Sequence, residues 1–269
     1  MMVILMQKTQ YFFLITLVCS HLFLWEKALM SQENTLVFVT PILNDKTNAL
    51  KEKLFCSDEE ILLRDIKVSK YHRWIQCINE SYFLIHQIEG ENLLQSFASL
   101  KGKISQGHST AIALQNLYKD SLGIDIEKDN WIPPLKELSE FMDMRIENLN
   151  GDSSKEYCFM YPILPSKKEK LLKLYEDKAF YYSEPIQNIY KFRGIDKMQL
   201  WLQESFGNIY VVVYQKIIGS VTNARTKYLN SKEDALSRYI ADLYSEITGL
   251  RYEQLLPTLE SLDEAEILN

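Results

Sequence analysis

Missing from this chain are the spacings by which common chemistry shows itself in a sequence. Its four cysteines, Cys19, Cys56, Cys77 and Cys158, lie far apart with no CxxC. They read as buried thiols of a reducing compartment, not as a disulfide framework. No HExxH, His–carboxylate cluster or EF-hand loop is present, so a metal site is unsupported and no cofactor is implied. GxGxxG, GxxxxGK(S/T) and GxSxG are absent too, which removes the readily recognised nucleotide sites and the common hydrolase elbow. Nine glycines and seven prolines in 269 residues leave no low-complexity tract.

Positive charge is also in deficit. The formal net charge of −6 offers no domain-wide field for nucleic acid or acidic membranes. The one dense basic stretch, KKEKLLK at 167–173, is interleaved with an acid and reads as a solvated helix face.

Long apolar runs are scarce, the exception being YFFLITLVCSHLFLW at 11–25, interrupted by His21. It is short for a membrane span. Three readings stand. Translation starts at Met30, with the Trp25-Glu26-Lys27 codons upstream forming a purine-rich tract suited to a bacterial ribosome-binding site. Alternatively the run is a signal peptide, preceded by Lys8 and ending near Val18-Cys19-Ser20, or else a membrane anchor. The first is favoured and implies a cytoplasmic protein; retention of residues 11–25 would make it exported or membrane-anchored.

What is present is a globular composition, 46% hydrophobic and 25% charged, of a length sufficient for two cores. It is also a sentence written twice. TPILNDKTNALKEKL (40–54) returns as YPILPSKKEKLLKLY (161–175), each after an apolar run, TLVFV or EYCFM. RWIQCINESYFLIHQ (73–87) returns as LWLQESFGNIYVVVYQ (200–215), a hairpin with Gly207-Asn208 as the turn signal of the second copy. ALQNLYKDSLG (113–123) returns as RYIADLYSEITG (238–249), a helix closed by glycine. Ser166-x-x-Glu169 reads as a capping box at one helix start.

Each copy therefore reads strand, helix, strand, strand, helix. A final strand is expected in LKELSEFMDMRI or LLPTLESL. That is an α+β chain of two tandem ferredoxin-like βαββαβ units forming an intrachain pseudo-dimeric α/β barrel, sheet face on sheet face. The expected divisions are an N-terminal extension (1–34), a first repeat with linker (35–150) and a second repeat with C-terminal tail (151–269).

FVTPILNDKTNAL with RWIQ, then FMYPILPSKKEKL with GIDKMQLWLQ, resemble the dimeric α/β-barrel superfamily, in particular uncharacterised bacterial tandem-repeat proteins. The resemblance covers most of 35–128 and 155–256. It implies fold more than function, because that superfamily spans cofactor-independent monooxygenases, haem-handling enzymes, isomerases and plain binding proteins. No catalytic residue is carried over.

Among candidate site residues, Trp74 and Gln76 share a strand face, as do Trp201 and Gln203. An indole beside an amide suits a flat ligand, although a packing role is the commoner one. His86 has Tyr214 as its apparent counterpart, so it stands as a weak candidate for proton shuttling or haem ligation against a buried structural histidine. Together Trp74, Gln76, His86, Trp201, Gln203 and Tyr214 are expected to line one shared cavity. RNA-recognition modules have the same strand order, and Tyr157, Phe159 and Tyr161 with Tyr210 and Tyr214 imitate their stacking platform. The acidic balance and the lack of a Lys/Arg-Gly-aromatic run argue against nucleic acid. The expected partner is a small-molecule ligand, with no nucleic acid, and with a membrane only if residues 11–25 are retained. The leading expectation is a small-molecule-binding or structural protein; the alternative is a cofactor-independent or haem-handling monooxygenase or isomerase using His86. Oligomeric state and substrate are not legible.

Overall fold

β-Branched and aromatic residues begin the fold. TLVFVTP forms β1, Thr35–Pro41, with its middle five residues buried, as suits a strand covered on both faces. The computed structural model describes residues 35–43, 45–53, 57–129, 132–146, 153–231, 234–255 and 259–266. The apolar run 11–25 and Met30 lie outside them. Among the described residues no helix is long and apolar enough to cross a membrane.

The first half continues with α1 (Thr47–Lys53), α2 (Ser57–Asp65), β2 (Val68–Ile78), β3 (Ser81–Gly90), α3 (Leu93–Ser105) and α4 (Ser109–Leu122). Two short strands, β4 (Leu135–Glu137) and β5 (Met142–Asp143), close it. The second half runs β6 (Ser154–Ile163), α5 (Lys168–Glu176), α6 (Lys178–Tyr181), α7 (Glu184–Phe192), β7 (Ile195–Ser205) and β8 (Asn208–Ile218). It ends with α8 (Val221–Asn230), α9 (Ala235–Thr248) and β9 (Leu259–Glu266). The chain is α+β, two tandem ferredoxin-like units.

The halves match in detail. α4 and α9 both stop at a left-handed glycine, Gly123 and Gly249, where a side chain would be strained. β2 and β7 carry a bulge at the same place, between Val68 and Lys70 and between Ile195 and Lys197. Both hairpins close on a two-residue turn with positive φ, Asn79-Glu80 and Phe206-Gly207, the twist that suits a tight hairpin. The second turn thus sits one residue earlier than the Gly207-Asn208 signal suggests. The expected capping box is not the helix start either. Pro165, pre-set in φ, opens a 3-10 turn, and α5 begins at Lys168 without a side-chain cap.

The final strands change hands. One sheet has the order β1-β3-β2-β9; the other has β4-β7-β8-β6, with β5 also on β7. Each unit's last strand therefore completes the other unit's sheet. The inner faces meet in a common core, to which the first half contributes Val37, Val39, Trp74 and Ile85 and the second Cys158, Met160, Trp201 and Val212. Helices cover the outer face of each sheet.

Candidate functional site

Period-two alternation divides the expected site residues between two faces. Trp74 and Gln76 on β2, and Trp201 and Gln203 on β7, point into the seam between the sheets and are almost wholly buried. The Gln76 amide donates to the Met160 carbonyl and accepts from the Met160 N–H, both at 2.9 Å. Gln203 does the same with Val39, donating to its carbonyl at 2.6 Å and accepting from its N–H at 2.8 Å. Val39 and Met160 are equivalent positions of β1 and β6, and both strands are sheet edges. An amide presents the same N–H and C=O pair as a peptide. Each glutamine thus pairs with the other unit's edge as one residue of an added strand would.

Tyr214 shares that inner face, but His86 does not. The register pairs Ile78 with Ser81 in the first hairpin and Ser205 with Asn208 in the second. This alignment makes Val213 the counterpart of His86, and Gln87 the counterpart of Tyr214. The expected His86–Tyr214 equivalence is corrected by one residue, and one residue on a strand changes the face. The six candidates consequently do not share a cavity: five face the seam, and His86 lies on the helix-covered side.

There His86 is fully buried. Its Nδ1 bonds the Tyr71 hydroxyl at 2.8 Å, and its Nε2 lies 3.3 Å from the Thr40 hydroxyl. Tyr71 also bonds Tyr118, and the Phe38 ring stacks on the imidazole at 4.4 Å between centroids. Arg73 lies against the Tyr71 ring and pairs with buried Glu59 at 2.8 Å. Burial, then the Arg73 charge, hold His86 well below the ordinary histidine range, so it is neutral at pH 7.

A second polar group closes one end of the seam. Glu156 of β6 accepts from Lys70 and, at 2.8 Å, from the Gln87 amide. Lys70 also reaches Glu89 at 3.4 Å, and the Cys158 thiol donates to Gln87 at 3.6 Å. Burial opposes ionisation of Glu156, but the bonds from Lys70 and Gln87 and the Lys70 charge outweigh it and hold its carboxyl below the usual range. Of the two described cysteines, Cys158 is buried and Cys77 exposed.

An apolar cavity lies elsewhere. Between the outer face of the second sheet and helices α7, α8 and α9 is a cavity of about 100 Å³, of the order of the roughly 150 Å³ that accommodates a benzene ring. Met198, Leu200 and Val213 line it from the sheet, Ala224 and Ala241 from the helices, and Tyr157, Tyr161, Tyr190, Tyr228 and Tyr244 around it. In the first half the positions of Met198, Leu200, Val213 and Ala241 hold Tyr71, Arg73, His86 and Gln115. All four are larger and buried. The cavity follows from shortening these four side chains.

Behind the wall, Tyr175 and Tyr244 share a hydroxyl–hydroxyl bond and Tyr161 donates to the Leu255 carbonyl. Burial pushes the hydroxyls of Tyr161, Tyr175, Tyr181 and Tyr244 well above the ordinary tyrosine range, so they remain protonated donors. Sequence reasoning missed this site, although a signal was present: twelve of the sixteen tyrosines fall in residues 151–269. The RNA-like platform does not assemble, since Tyr157, Phe159 and Tyr161 face this cavity while Tyr210 and Tyr214 alternate with Val213 onto the opposite face.

No protein-family model and no curated protein matches the chain. Among solved structures, it is similar to a candidate monooxygenase from Fusobacterium nucleatum subsp. nucleatum, with 13% identity, a TM-score of 0.41 and coverage of 85% of this chain and 92% of that one. An anthrone oxidase-like protein gives 8% identity and a TM-score of 0.48 over 86% of this chain and 91% of that one. An uncharacterised ferredoxin-fold protein from Listeria monocytogenes, related to antibiotic biosynthesis monooxygenases, gives 10% identity and a TM-score of 0.30 over 86% and 94%. The fold assignment rests on the strand order above.

Proposed function

We propose that this protein is a single-chain relative of the dimeric α/β barrels that binds one small, ring-sized, largely apolar molecule in the cavity of its second half. The observation that carries this reading is the four-fold replacement of large by small side chains, Tyr71, Arg73, His86 and Gln115 answered by Met198, Leu200, Val213 and Ala241, around a cavity. Packing alone favours filled interiors, and a void without an occupant loses contacts on every side. In this reading Trp74, Gln76, Trp201, Gln203 and Tyr214 hold the halves in register and touch no ligand. An oxygenase or isomerase working through His86 is the weaker reading, because Tyr71 and Thr40 already engage both ring nitrogens.

The test is ligand-observed NMR with a panel of single-ring compounds against the wild type and Ala241→Phe. The wild type is expected to bind members of the panel. The variant, its cavity occupied by its own ring, is expected to lose affinity about tenfold or more, with no fall in its unfolding midpoint. Equal binding by the variant would place the site elsewhere.

A further inference from the structure

An amide stands on the cavity wall. Gln215 of β8 alternates with Val213 and Ile217, and all three line the cavity. By the hairpin register its counterpart in the first half is Ile88, which is 1% exposed. The fold itself is therefore served at this position by an apolar side chain. Gln215 is 6% exposed, and burying a carboxamide is unfavourable unless polar groups meet it.

Within the chain little meets it. Its Nε2 donates to the thioether sulfur of Met198, the neighbour across the strands, at 3.3 Å, and a thioether is a weak acceptor. Among the described residues no donor reaches its Oε1. Gln76 and Gln203 show what satisfies such a group in this protein. Each donates to a peptide carbonyl and accepts from the N–H of the same residue. Gln215 carries the same donor and acceptor pair, but on the cavity side of its sheet.

We infer that the ligand is a small cyclic amide, its ring among Leu200, Val213 and Ala241, its N–H donating to Gln215 Oε1 and its carbonyl accepting from Nε2. This rests on the cavity reading above and adds the hydrogen-bonding edge of the ligand. A ring holds its amide cis, so the N–H and the carbonyl point the same way and meet both groups of a carboxamide together. In that pairing Nε2 exchanges a thioether for a carbonyl, the stronger acceptor. A six-membered ring of this kind is close to benzene in size, and the tyrosines around it supply aromatic edges and faces.

Calorimetric titration of 2-pyridone, phenol and toluene into the full chain, wild type and Gln215→Leu, tests it. The substitution is expected to weaken 2-pyridone about tenfold or more, through the loss of two hydrogen bonds. Phenol, whose single hydroxyl meets one of the two amide groups, is expected to lose less. Toluene is expected to bind Gln215→Leu as tightly as the wild type or more tightly. No fall in the unfolding midpoint is expected, because Ile88 shows that an apolar side chain serves there. Should Gln215→Leu not fold, Gln215→Met, of similar length, serves with the same expected pattern. Equal 2-pyridone affinity in wild type and variant, an equal loss by phenol, or toluene binding where 2-pyridone does not, would overturn the inference and leave the cavity reading standing. Binding of none of the three by the wild type would overturn both.

Discussion

Phe83 and Tyr210 occupy the same position in the two hairpins and meet edge to face, their ring centroids 5.9 Å apart. A residue that touches its own equivalent marks the axis of a two-fold arrangement. The halves of this chain therefore associate as the subunits of an isologous dimer do, with an axis through one aromatic pair. The glutamine contacts obey the same symmetry, Gln76 to Met160 and Gln203 to Val39.

Those glutamines give the first prediction. Gln76→Leu or Gln203→Leu leaves a buried backbone N–H and C=O without a partner. Each is expected to destabilise the protein by about 3 kcal/mol, read as a lower denaturant midpoint with an unchanged m-value. The two effects should be similar in size. A loss under about 0.5 kcal/mol from either would remove these amides from any role in holding the sheets together.

His86 makes stability depend on pH. Its folded-state pKa lies well below the ordinary 6.5, so below that pH the unfolded chain takes up a proton that the native chain refuses. Its contribution is complete above pH 6.5 and declines as the pH falls from there toward the depressed native value. Denaturation midpoints of the wild type and His86→Gln, compared between pH 7.5 and 5, are expected to show the steeper decline in the wild type. Parallel curves would contradict the burial of a neutral imidazole.

Glu156 acts in a more acidic window. Its native pKa is held below the ordinary 4.5, so its stabilisation is present above pH 4.5 and is lost as the pH falls through the depressed value. Lys70, raised above 10.5 by Glu156 and Glu89 against the opposing effect of burial, contributes below pH 10.5 and loses that contribution above its raised value. Glu156→Gln should flatten the acid side of the stability profile and cost about 1–3 kcal/mol at neutral pH, because Lys70 loses one of its two carboxylate partners in a part-buried site. An unchanged acid limb would assign the acid sensitivity to other carboxylates.

Truncation before Leu259 tests the strand exchange. It uncovers the edge of β2 along Lys70–Gln76, and a bare edge invites pairing with another chain. The expected result is a lower unfolding midpoint together with concentration-dependent association in size-exclusion chromatography. A monomer of undiminished stability would show that β9 adds nothing to that sheet.

The architecture was largely legible because the strand, hairpin and helix-end signals of the first half recur in the second. The Pro-Ile-Leu strand ends, the Trp-x-Gln strands and the helix-closing glycines fell where the repeat placed them. Partner exchange was not legible, since the short final strands carry no pattern naming the sheet they join. The site failed on one residue. Gly207-Asn208 is a good turn pair, but the turn lies at Phe206-Gly207, and that slip moved His86 onto the face of Tyr214. The cavity escaped because it arises from what is small, Ala241 and Val213, and an alanine in a helix gives no sign of the space in front of it. The concentration of tyrosine in the second half was the trace left in the sequence.

Had the same barrel been assembled from two copies of one short chain, every substitution would appear on both sides of the axis, and a residue that filled one chamber would fill the other. Joining the copies end to end removes that obligation. One side can retain a filled polar interior, while its sister sheds bulk at Met198, Leu200, Val213 and Ala241 without disturbing the first. The covalent link also makes the meeting of the halves independent of protein concentration, so a division of labour that would weaken a separable pair is tolerated here.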